Sequence, residues 1–302
     1  AWGRVLVSVS LLLAACALTV VALVQGHTTS TCPAAISIPL FLGLLCVVGL
    51  LEGLQIALFA VDLTRLGASV AQENCRRLFK GQNLQAFLIG RQILVTGCMF
   101  VVAKITSMEP DSNLWGLPTV LQRFLHTGLL GALMTTLLGS LAWRVLASSF
   151  PMAFLSNPAI SVLITLCLWL EKSGLCSASW VLARYIKQGL GFQADEVYLE
   201  DKEEEESPRD RDIDRLVTIV KFTYSLALLA FATVLVMGAI FTRQTMATSE
   251  FGVPTYAAFI IFWFLIVCLA MMEGGQGALV GLQPIASSRY QESHAKTAKI
   301  TS

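Results

Sequence analysis

Long apolar runs, each broken by only a few polar positions, recur from one end of the chain to the other. The first covers Val5 to Gln25 and the second Ile38 to about Leu63. Others run from Ala86 to Val102, Phe124 to Ser148, Ile160 to Ala183, Val220 to Phe241 and Tyr256 to Leu282. A helix needs about 20 predominantly apolar residues to cross a hydrocarbon core of roughly 30 Å. The pattern therefore predicts an all-α, polytopic transmembrane bundle of about seven spans. Their recurrence excludes a cleaved leader as the explanation.

Composition agrees with a lipid environment: 14% of residues are charged and mean hydropathy is +0.70, where a soluble domain carries about 25% charge. Net charge is +1, and the basic residues lie in loops between runs, so nucleic acid finds no continuous basic face and is excluded as a partner. The eight cysteines include no C-x-x-C pair and read as small buried hydrophobes rather than a disulfide or metal framework. Catalytic signatures are missing too. There is no His-Glu-x-x-His, no Gly-x-Ser-x-Gly, and the three histidines are scattered, so the expectation is that the protein is not an enzyme.

One connection stands out, the stretch from Arg184 to Arg215, which contains Asp201-Lys-Glu-Glu-Glu-Glu-Ser-Pro-Arg-Asp. So dense a run of charge cannot bury a core and reads as a solvated spacer. It divides the chain into a first transmembrane repeat of about five helices (1–184), a charged inter-half loop (185–218) and an incomplete second repeat of about two helices (219–302). Arg65, Arg76, Arg77 and Lys80 follow the second run while Gly26 to Ser37 has no Lys or Arg. The positive-inside rule thus puts the amino terminus and the Arg76 loop in the cytoplasm. Strict counting then puts the acidic linker outside, although its charge and the basic tail suit the cytoplasm. Trp115, Trp143 and Trp180 read as anchors at the membrane interface.

The polar residues inside the apolar runs carry the chemistry. Leu51-Glu52-Gly53-Leu54-Gln55-Ile56-Ala57-Leu58 aligns without a gap on Met272-Glu273-Gly274-Gly275-Gln276-Gly277-Ala278-Leu279, at an offset of 221 residues. The same offset carries Asp62 onto Gln283. On a helix, residues three and seven apart share a face, so Glu52, Gln55 and Asp62 form one polar stripe, and Glu273, Gln276 and Gln283 its counterpart. Carboxyl and amide groups facing acyl chains are costly, so both stripes should face protein or a wet cavity. Such residues can also simply join helices. Their duplication favours a solute path instead, since carriers built from two halves bind solute between them near the midplane. Arg91, in Gly90-Arg91-Gln92, either snorkels to the headgroups or serves as counter-charge to Glu52 or Glu273. Glu171 and Lys172, inside the fifth run, read as helix-joining residues.

A Glu-Gly-x-Gln in the second run, a Gly-Arg-Gln in the third and a second Glu-Gly-x-Gln after the long inter-half stretch resemble the silicon (silicic acid) transporters of diatoms. The resemblance extends over the whole chain as the first seven of about ten spans. It implies a membrane transporter of silicic acid, a sodium-coupled symporter in which sodium is a coupling ion and no cofactor is held. It further implies solute-binding roles for Glu52, Gly53 and Gln55, for Gly90, Arg91 and Gln92, and for Glu273, Gly274 and Gln276, with Asp62 and Gln283 as accessory positions. Silicic acid is neutral near pH 7 and presents four hydroxyls, which Gln amides and carboxylates satisfy without a countercharge. At the same offset a second Gly-Arg-Gln would fall near position 312, beyond the last residue, so the sequence is expected to be a fragment. The expected location is a multi-pass position in the bilayer of the plasma membrane, with an intracellular vesicle membrane as the alternative.

Three other classes compete. A seven-span receptor is disfavoured by the two-half repeat and by the lack of an Asp-Arg-Tyr or Asn-Pro-x-x-Tyr motif. A membrane-embedded enzyme lacks its motifs. A channel would share the polar stripes and would be separated from a carrier by saturable, sodium-dependent uptake.

Overall fold

The computed structural model describes residues 2–26, 28, 33–60, 70–80, 83–108, 116, 118, 122, 127–190 and 208–282. These are helical, with one isolated bridge, Thr28 to Met108, and no strand among the described residues. Six helices among them are long and apolar enough to cross a membrane. The protein is thus an all-α polytopic membrane protein, as its hydropathy pattern predicts. The helices cluster into two compact units, 1–170 and 171–302.

In the first unit, α1 (Trp2–Gln25), α2 (Ala34–Ala60) and α4 (Asn83–Thr106) are long spans, and α3 (Val70–Leu78) is a short helix between α2 and α4. A fourth span, α5 (Leu129–Ser149), has a π-helical middle turn, Thr135–Leu141, between two α-helical pieces. The short α6 (Pro151–Leu155) and then α7 (Pro158–Lys172) follow. The second half of α2 is the centre of this unit. Val48, Leu51, Leu54 and Ala57 are fully buried, against Phe87 and Val95 of α4, Ala147 of α5, Leu155 of α6 and Ile160, Ile164 and Cys167 of α7. A helix apolar on every side belongs in a protein core or in the bilayer, and this half of α2 is enclosed by protein.

Small residues set how closely these helices approach. A Cβ at Gly49 would overlap the Trp143 indole, and one at Gly53 would lie 2.5 Å from Phe154 Cζ and 3.2 Å from Ala147 Cβ. Gly49 and Gly53, four apart, form the small-x-x-x-small face that brings two membrane backbones together. Trp143 is partly buried and in edge-to-face contact with Phe154 at 6.3 Å. At Gly90 a Cβ would overlap the backbone carbonyl of Cys167, so α4 and α7 cross there.

The π turn in α5 begins with two back-bonded threonines. The hydroxyls of Thr135 and Thr136 donate to the carbonyls of Gly131 and Ala132, four residues earlier, at 2.7 and 2.9 Å. Such back-bonding competes with the α-helical ladder, and a π turn is often found where a helix carries function. It sets the rotational register of the residues that follow, Arg144 among them.

The fifth apolar run is two helices rather than one span. After α7 the chain turns at Ser173–Ser177, where Gly174 has φ 82° and its N–H bonds the Glu171 carbonyl at 3.0 Å. Helix α8 (Ala178–Leu190) follows. The left-handed conformation favours glycine, and Glu171-Lys-Ser-Gly in mid-run supplies the break.

The second unit also contains α9 (Pro208–Phe241), the single turn α10 (Met246–Ser249) and α11 (Thr255–Leu282). Ser225 on α9 accepts a hydrogen bond from the Ala178 N–H and donates to the Leu175 carbonyl, both at 2.9 Å. Phe241 of α9 meets Phe259 of α11 at 5.8 Å. Most apolar side chains of α9 and α11 are exposed, Leu216, Val234, Ile260 and Met272 among them, which suits acyl chains as solvent. The acidic stretch 191–207 of the expected inter-half loop lies outside the described residues.

Candidate functional site

Glu52 stands in the buried half of α2 and is only 5% exposed. Its carboxylate is held by two guanidinium groups. Nη1 of Arg91, on α4, donates to Oε1 at 2.8 Å, and Nε and Nη2 of Arg144, on α5, both donate to Oε2, Nε at 2.9 Å. Arg91 is as buried as its partner, whereas the side chain of Arg144 is 28% exposed. Arg91 of the Gly-Arg-Gln motif is thus the counter-charge of Glu52.

Local structure explains how these groups meet. Gly53, next to Glu52, and Gly49, one turn earlier, admit α5 close enough for Arg144 to reach a carboxylate inside the unit. Gly90 admits α7 against α4 beside Arg91. The glycines of both motifs are therefore contact glycines, which allow helices to cross at the level of the ion cluster.

Two polar groups in the cluster's surroundings have unspent hydrogen-bonding capacity. Arg91 Nη2 donates to Gln92 Oε1 at 3.2 Å, but Arg91 Nε is buried without a partner. Gln55, one turn beyond Glu52 and 6% exposed, makes no side-chain hydrogen bond among the described residues. A buried donor or amide left unpaired costs roughly 1–3 kcal/mol. Native structures rarely keep such groups without an occupant in some state of the protein.

The structure therefore gathers Glu52, Arg91 and Gln92 in one unit, with Gln55 on the adjacent turn. Glu273, Gly274 and Gln276 belong to the second unit, on the last turns of α11. There Glu273 is exposed with no ion-pair partner among the described residues, Gln276 is partly buried, and a Cβ at Gly274 would meet nothing within 4 Å. Asp62 and Gln283 lie outside the described residues, as does Trp115. Among the described residues no group of His, Cys, Asp or Glu is placed to hold a metal ion.

Arg144 was not singled out by sequence pattern, because an arginine near a span's end reads as a headgroup ligand. Gly49 was missed as well, although the Gly49-x-x-x-Gly53 spacing is a signal in its own right.

The fold and this cluster define the class: a polytopic helical membrane protein in whose first unit two arginines are turned inward around one carboxylate. A family model for silicon transporters matches residues 1–218 and 213–302. The chain belongs to the silicon transporter family, which makes it a membrane transporter with silicic acid as its solute. No curated protein and no solved structure matches it.

Proposed function

We propose that silicic acid binds beside the Glu52–Arg91–Arg144 cluster, with Gln55 and Arg91 Nε as its first contacts. The observation that carries this reading is that Arg91 Nε, on the side chain that pairs with Glu52, is buried without a partner, with the buried residue Gln55 one turn of α2 beyond Glu52. Silicic acid hydroxyls accept from the guanidinium N–H and from the Gln55 amide, and donate to the amide oxygen. Glu52 has both oxygens engaged by guanidinium N–H groups. Its role is to fix Arg91 so that Nε keeps one direction, and the remaining lone pair accepts a solute hydroxyl.

In this reading Glu273 and Gln276 of the repeated motif also contact the solute along its path, and Asp62 and Gln283 are accessory positions. Transport is coupled to sodium. Among the described residues the Glu273 carboxylate has no ion-pair partner, which makes it the better sodium ligand of the two glutamates. The membrane is the plasma membrane.

Uptake of silicic acid into vesicles carrying the protein tests this. Gln55→Ala and Gln276→Ala should each abolish saturable uptake while leaving insertion and expression intact. Unchanged uptake in Gln55→Ala removes the reading.

A further inference from the structure

The cluster has an imbalance of charge that a neutral solute does not correct. Two guanidiniums face one carboxylate, and no second acid pairs with Arg91 or Arg144 among the described residues. The other charged side chain described on α2, α4 and α5 is Lys104, another cation, more than three helical turns from Arg91. The cluster therefore holds a net charge of +1 within a membrane unit. A positive charge left over from such a cluster is costly in these surroundings. Membrane helices keep such a charge where it meets an ion.

We infer that the Arg91 and Arg144 guanidiniums, held apart by Glu52, form a binding site for one small monovalent anion, a halide or a small oxyanion. Arg91 Nε is a buried N–H donor with no partner, the group an anion would accept from. Arg144 reaches the accessible surface and gives the ion its way in. Guanidinium forks suit oxyanions geometrically and are weakly hydrated, so they bind anions at lower desolvation cost than an ammonium would. The ion comes from one of two sources: a free inorganic anion, or silicic acid itself in its ionised form. The second source rests on the silicic acid reading above, the first does not.

The experiment is thermal unfolding of the full chain in detergent. Sodium chloride or sodium nitrate replaces sodium gluconate at constant sodium and constant ionic strength. A ligand that binds only the folded state raises Tm with its concentration and saturates. The expected result is a saturable rise of a few degrees with chloride and nitrate over gluconate. Charge arithmetic then gives a signature that a merely structural role would not produce. Arg144→Gln brings the cluster to zero and should abolish the anion response. Glu52→Gln brings it to +2 and should shift half-saturation to lower anion concentration. Arg144→Lys keeps the charge at +1 and should keep a weaker, still saturable response, which keeps the test open where Arg144→Gln alone does not fold. No anion-specific rise in the unaltered protein, or the same rise in all variants, overturns the proposal.

Adding silicic acid at neutral and alkaline pH separates the sources. Protection by silicic acid that grows with pH and competes with chloride identifies the ionised solute, while protection at neutral pH that competes with chloride and does not grow with pH identifies a free anion that shares Arg91 Nε with the neutral solute. An anion response without any silicic acid response leaves the anion site standing and removes the solute reading. The reverse outcome does the opposite.

Discussion

Arg144 donates twice to a single carboxylate oxygen of Glu52, a residue 92 positions earlier in the chain. That bidentate contact, with Arg91 on the other oxygen, makes the ion cluster a tie between three spans and not a pair within one. Removing the shared carboxylate leaves two guanidiniums facing each other. Glu52→Gln should destabilise the protein by roughly 3–5 kcal/mol, the range for breaking a buried pair. Thermal unfolding in detergent, in a double-mutant cycle with Arg91→Gln, reads it. Strictly additive losses would mean the two side chains do not interact.

The glycines of the two motif copies should behave differently. In Gly90→Ala the new methyl meets the Cys167 carbonyl, a backbone atom that cannot rotate away. Overpacking of this kind costs roughly 1–3 kcal/mol, so the yield of monodisperse protein should fall. Gly274→Ala meets nothing within 4 Å and replaces a poor helix former with the best one. Its yield should hold or rise, and any loss of transport there reports on function alone.

A pH dependence follows from α3, outside the spans. Burial pushes the Cys75 thiol from its ordinary 9.0 up to about 11. The folded state keeps the proton that the unfolded chain releases, so stability is unaffected below pH 9 and falls as pH rises from 9 towards 11. Cys75→Ala should flatten the unfolding midpoint against pH in that window. An unchanged slope would show that Cys75 does not set it. In the native protein Cys75 should also resist maleimide near pH 8, where little thiolate exists.

Coupling should divide between the two glutamates. Glu273→Gln should weaken the sodium dependence of uptake while leaving Tm close to the unaltered value, because Glu273 is exposed and has no ion-pair partner among the described residues. Sodium dependence unchanged in Glu273→Gln would remove that carboxylate from the coupling site.

Much of this was legible in the sequence, for identifiable reasons. Hydropathy counts apolar residues along one dimension, which is all that a membrane helix demands, so the spans and the all-α class followed directly. Glu52 and Arg91 stood out because ionised groups in apolar runs are expensive and hence informative. The break at Gly174 was hidden by the overall hydropathy of its run, although Glu171-Lys172-Ser173-Gly174 carried the turn signal. Arg144 was illegible because its position within a span allows either headgroup contact or an inward pair. The choice depends on the π turn before it and on Gly49 and Gly53 across from it, which is information about two helices at once. The repeat of Glu-Gly-x-Gln was plain, yet the surroundings of its two copies differ: Glu52 is enclosed by arginines, and Glu273 is exposed.

Gln55 offers the most direct test of the solute site, since it lies buried one turn from Glu52 and its side chain makes no hydrogen bond among the described residues. Thermal unfolding of Gln55→Ala with and without silicic acid at pH 7 measures both at once. The account predicts an unchanged or slightly higher Tm in buffer, and loss of the stabilisation that silicic acid gives the unaltered protein. A variant that unfolds early in buffer yet is still protected by silicic acid would contradict it.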